Sequence, residues 1–126
     1  MDLSTLERWI ERAGFSATGE NASTLRVLHG DDALPPFFVQ LSEHWVLLSM
    51  LPLLAGASRP DDLGQRLLAA NREMRVAKFA LDSAGAVVLC AELPTESLDA
   101  SEIADAVRRV TEYARRFSAD LGHSAG

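Results

Sequence analysis

The feature that most constrains this chain is the order in which its apolar periodicity changes: helical, alternating in three runs, helical, alternating in two runs, and helical again. Leu3, Leu6, Trp9, Ile10 and Ala13 recur at helical spacing. Ser4 followed by Glu7 reads as a capping box at the start of that helix, and Gly14 reads as its stop. From Phe15 to Ser23 the composition turns to Ser, Thr, Asn, Ala and Gly, the composition of a connection. Leu25, Val27 and His29 then alternate with Arg26 and Leu28 as in a half-buried strand, and Gly30-Asp31-Asp32 supplies the next turn. Pro35-Pro36 forbids helix and opens a second strand, Phe37 to Ser42, with Phe37, Val39 and Leu41 on one face. After the polar break Ser42-Glu43-His44, a third strand runs from Trp45 to Leu51, apolar on both faces except at Ser49.

Pro52 ends that strand, and Ser58 followed by Arg59, Pro60, Asp61 and Asp62 carries the start signals of a helix, whose apolar positions are Leu63, Leu67, Leu68 and Ala70. Two strands follow, Arg75 to Leu81 and Ala86 to Leu93, joined by a hairpin turn at Asp82-Ser83-Ala84-Gly85. Asp99 with Glu102 caps a last, longest helix, whose seam is Ile103, Val107, Val110, Ala114, Phe117 and Leu121. This pattern predicts an α+β fold in which an antiparallel sheet, beginning as a meander, carries helices packed on it. At 126 residues one domain is expected over residues 1–126, with its core within about 3–121.

Charge narrows the partners. A formal net charge of −6 argues against nucleic acid, whose binding draws on clustered Lys and Arg to neutralise phosphates. Lys78 is the only lysine, and Arg108, Arg109, Arg115 and Arg116 alternate with Glu102, Asp105, Glu112 and Asp120, as on a solvated helix face. The N-terminus has neither a basic region nor an apolar stretch, so no secretory signal is expected. The longest apolar run, Trp45 to Ala55, is broken by Ser49 and Pro52 and falls well short of the roughly 20 residues of a membrane span. The single cysteine, Cys90, excludes an internal disulfide and fits a cytoplasmic location.

No residue cluster carries chemistry. His29, His44 and His123 lack neighbouring Cys or paired acids at ligand spacing, so no metal site is expected. Cys90 sits in mid-strand among Val88, Leu89 and Ala91, the setting of a buried inert thiol. Asp31-Asp32 and Asp61-Asp62 are accounted for by turn chemistry and by a helix dipole. The glycines are scattered singly rather than grouped into a phosphate cradle. The expectation is a protein without catalytic residues or cofactor. The one excess is the third strand: Trp45, Val46, Leu47, Leu48, Met50 and Leu51 give it two apolar faces, and the second must be covered by the chain itself or by another molecule.

The stretch Leu67-Leu68-Ala69-Ala70-Asn71, followed by Val76-Ala77-Lys78-Phe79-Ala80-Leu81-Asp82, Val87-Val88-Leu89 and Glu92-Leu93-Pro94, resembles the second-helix end, with its Leu-Leu-x-x-Asn, and following hairpin of the type III secretion chaperone-like fold. That group includes the small acidic class I secretion chaperones and the bacterial YbjN-like proteins, and the resemblance extends over residues 3–121. It implies a non-enzymatic homodimer that holds an extended or partly unfolded client segment, or alternatively a YbjN-like signalling or stress regulator that binds a folded partner. Joined to the apolar pattern, it makes Leu6, Trp9 and Ile10 of the first helix and Leu47, Met50 and Leu51 of the third strand the expected partner surface.

Overall fold

In a computed structural model of the protein, which describes residues 1–30, 34–54 and 61–122, the side chains of 51–54 and 118–122 lie outside the description. The elements are α1 (Leu3–Arg12), β1 (Ser16–Asn21), β2 (Thr24–Leu28), β3 (Phe37–Leu41), β4 (Trp45–Leu54), α2 (Leu63–Glu73), β5 (Ala77–Leu81), β6 (Val87–Pro94) and α3 (Ala100–Gly122). The strands form one antiparallel six-stranded sheet in the order β1-β2-β3-β4-β6-β5. The α+β architecture is the expected one, with one strand more. The polar stretch read as a connection after α1 is β1, an edge strand with a single buried residue, Ala17. An edge strand buried at one position has no alternating apolar pattern to show.

Local chemistry sets the element ends. Asp2, rather than Ser4, caps α1: its carboxylate accepts hydrogen bonds from the Thr5 N–H at 2.8 Å and the Thr5 hydroxyl at 2.7 Å. The helix ends at Gly14, whose φ of +98° suits a residue without Cβ. There the Gly14 N–H donates to Glu11 O and the Phe15 N–H to Ile10 O, the two bonds of a Schellman closure. Asp99 caps α3 through the Glu102 N–H at 2.9 Å. In the β5–β6 turn the Asp82 carboxylate accepts from the N–H groups of Ala84 and Ala86, both at 2.9 Å, and Gly85 takes φ +82°. The expected turn at Asp31-Asp32, the cap at Ser58, Arg59 and Pro60, and His123 with the tail lie outside the described residues.

Burial alternates along β2 and β3, and most of the core lies on one side of the sheet; in β6 Val88, opposite Ala80, is buried on the other side. Ala17, Val27, Phe37, Met50, Leu89 and Phe79 stand in register as one buried row, and Leu25, Val39, Leu48, Ala91 and Ala77 as the next. Against these rows α1 lays Leu6 and Ile10, α2 lays Leu63, Leu67 and Ala70, and α3 lays Ile103, Val107, Val110, Ala114 and Phe117. The seam read for α3 is therefore the packing stripe as far as Phe117; the Leu121 side chain lies outside the described ones.

Candidate functional site

The second face of the sheet is a different surface. Alternation places Arg26, Phe38, Ser49, Cys90 and Lys78 on it as one cross-strand row, since Arg26 pairs with Phe38, Phe38 with Ser49, Ser49 with Cys90 and Cys90 with Lys78. A second row runs from Thr24 through Gln40 and Leu47 to Glu92, and Trp45 stands opposite Pro94 beyond it. Among the described residues no helix packs on this face. Trp45 remains 48% exposed and Leu28, at the end of β2, 44%, whereas Val46, Leu48 and Met50, which alternate with the outward residues of β4, are fully buried. Phe38 and Leu47 are half-buried. The result is an apolar centre with Arg26, Lys78 and Glu92 around it, the composition of a protein-binding surface.

Of the partner surface expected on α1 and β4, three residues lie in the core. Leu6, Ile10 and Met50 have no exposed area, because the apolar stripe of α1 and the inner face of β4 are spent on the chain's own core. Trp9 packs half-buried at the margin of that core. Of the five whose side chains are described, Leu47 alone lies on the open face; the Leu51 side chain lies outside the described ones. Phe38 and the β1 edge escaped the sequence reading. The Phe37-Phe38 pair carried the signal for the former, since adjacent strand residues face opposite sides.

Charge and reactivity on this face are quiet. Burial, and secondarily the Glu92 carboxylate, push the Cys90 thiol above its ordinary pKa of 9.0, so it stays protonated and poorly nucleophilic. Its sulfur lies 3.6 Å from Lys78 O. His29 holds a ring nitrogen 2.8 Å from Pro35 O and stacks on Phe37, and the exposed His44 sits beside Glu43. Among the described residues no group of three or more His, Cys, Asp or Glu stands close enough to hold a metal ion, and no helix is long and apolar enough to cross a membrane.

Comparison with known proteins fits this geometry. The sequence profile of the YbjN family, described as "Putative bacterial sensory transduction regulator", matches residues 2–123. The chain belongs to the YbjN family. YbjN of E. coli superposes with a TM-score of 0.66 at 22% identity, over 96% of this chain and 89% of its own. Two further solved structures, the first from the type III secretion system, share the architecture of this chain. A chain of the heterodimeric ExoU-SpcU complex of Pseudomonas aeruginosa gives a TM-score of 0.60 at 25% identity, covering 91% of this chain and 93% of that one. A chain of the ExsC-ExsE complex gives 0.69 at 18% identity, covering 97% and 98%. No curated protein matches the chain.

Proposed function

We propose that this YbjN-family chain is a non-enzymatic, homodimeric, cytoplasmic binding module that holds an extended or partly unfolded segment of a client protein, as a type III secretion chaperone does. The observation that carries the reading is the sheet face on which none of the described helices packs, where Trp45, Phe38 and Leu47 stand beside charged neighbours. A strand edge gives an extended segment main-chain hydrogen bonds, and the apolar face gives its alternate side chains a place to be desolvated. The net charge of −6 keeps such a surface soluble. The raised pKa of Cys90 supports the non-enzymatic part.

The dimer is supported at the other end of the sheet. Leu68 projects from the outer side of α2 and is 72% exposed, in line with Gly64 and Arg72. An antiparallel two-fold pairing about Leu68 sets Asp61, before one α2, across from Arg75, after the other, and aligns the two helix dipoles favourably.

The family's description as a sensory transduction regulator favours a second reading, in which the same face binds one folded regulatory partner. Affinity capture of the tagged protein and of its Trp45→Asp variant from the native cells separates the two. A polypeptide retained by the wild type, lost by the variant and protease-sensitive when released supports the chaperone reading. A folded, protease-resistant partner supports the regulator, and equal capture by both proteins removes the open face from the account.

A further inference from the structure

The sheet has two ends, β1 and β5, and they are not equivalent. At β5 the side chain of Asn71, in the last turns of α2, takes both backbone polar groups of Phe79. Its Nδ2 donates to Phe79 O at 3.1 Å, and its Oδ1 accepts from the Phe79 N–H at 2.7 Å. A primary amide presents a donor and an acceptor side by side, so it stands where the peptide unit of a seventh strand would. The next outward N–H, that of Ala77, donates to Arg75 O at 2.8 Å within its own turn. Lys78 holds the arrangement from the other side, its Nζ donating to Asn71 O and Met74 O, both at 2.8 Å.

β1 has no such closure. Among the described residues no side chain bonds the backbone of Ser16 to Gly19, and the edge devices of β1, the charged Glu20 and a register shift between Gly19 and Asn21, lie at its far end, leaving Ser16 to Gly19 without Pro or a charged residue. We infer that Asn71 is an edge-closing residue: by occupying Phe79 it removes β5 from strand addition and leaves β1 as the edge that an extended segment can join. The role for β1 rests on the client-holding reading. The closure of β5 does not, and it is tested without any client.

Asn71→Ala leaves both Phe79 groups unpaired on an open edge. In the purified variant the Phe79 amide is expected to exchange about tenfold faster or more, the loss of one hydrogen bond's protection. Sedimentation velocity is expected to show concentration-dependent species larger than any the wild type forms. Unchanged exchange at Phe79 together with wild-type sedimentation would overturn the inference. Asn71→Asp provides a control that general loss of stability cannot mimic. Its carboxylate still accepts from the Phe79 N–H but cannot donate to Phe79 O until it is protonated, near pH 4. Association of Asn71→Asp is therefore expected to decrease as the pH falls through that range, whereas a merely weakened fold would associate more in acid. Association that rises in acid, or does not change, counts against the closure. A client-binding failure with both results intact would sink the role of β1 alone.

Discussion

The hydroxyl of Tyr113 accepts a hydrogen bond of 3.0 Å from the backbone N–H of Arg75, 38 residues earlier in the chain. It also lies 3.3 Å from Arg109 Nη1, whose Nε donates to Asp105 at 2.8 Å. The bond ties α3 to the turn between α2 and β5, the turn that carries the closure of the β5 edge. Tyr113→Phe keeps the ring against Phe117 and removes the acceptor. The expected loss is about 1 kcal/mol, or about 3–5 °C in Tm for a domain of this size, read by thermal unfolding. Faster exchange at the Arg75 amide should accompany it.

The same turn holds Val76 at φ +71°, a left-handed conformation that is costly for a β-branched residue. Its side chain is 43% exposed, so little packing compensates. Val76→Gly removes roughly 1–2 kcal/mol of strain and adds about 0.5–1 kcal/mol of backbone entropy cost. The variant is expected to be as stable as the wild type or up to about 1.5 kcal/mol more stable in urea unfolding. A loss of 1 kcal/mol or more would mean that Val76 packs against something that compensates for its backbone.

The two faces of β4 should separate in mutation. Met50→Ala opens a cavity in the core and is expected to cost about 2–5 kcal/mol. Trp45→Ala, on the open face, is expected to cost about 1 kcal/mol or less in stability. Under the proposed function it nonetheless weakens client binding. Chemical denaturation of both variants, followed by pull-down at matched folded fraction, checks the contrast.

Acid acts through the helix caps. The Ser101 hydroxyl, and then the Glu102 N–H, hold the Asp99 carboxyl below its ordinary 3.8, and the Thr5 hydroxyl and N–H do the same for Asp2. A carboxyl whose pKa is lower folded than unfolded stabilises fully above the unfolded value, and that contribution is lost as the pH falls through the folded one. Stability from both caps should therefore hold down to about pH 4 and decline below it. Asp99→Asn can still accept the cap bonds but does not titrate. Its stability relative to the wild type is expected to improve steadily below pH 4, measured by helical circular dichroism.

Most of this fold can be read from periodicity, because α1, α3 and β2 through β6 each bury one continuous apolar stripe or face. The parts that could not be read share a cause. In β1 the pairing partner β2 supplies the order, and Ala17 is the only residue through which β1 addresses the core. Leu6, Ile10 and Met50, expected as partner surface, lie buried in the chain's own core, and an amphipathic stripe does not say whether its cover comes from the same chain or another. Leu47 lay on the exposed face because β4 is apolar on both sides and the helices cover only one. Asn71 stood in the Leu-Leu-x-x-Asn signature from the start, but its bonds to Phe79 are set by α2 lying along the β5 edge, which no spacing within α2 specifies.

The measurement that tests the central claim most directly is hydrogen exchange across the whole chain, with and without the captured client bound. The account expects protection to appear at residues 16–21 of β1 and the accessibility of Trp45 and Cys90 on the open face to fall, the latter read by slower thiol alkylation of Cys90 in the same samples. Protection confined to the outer surfaces of α2 and α3, with β1 and Cys90 unchanged, would contradict it.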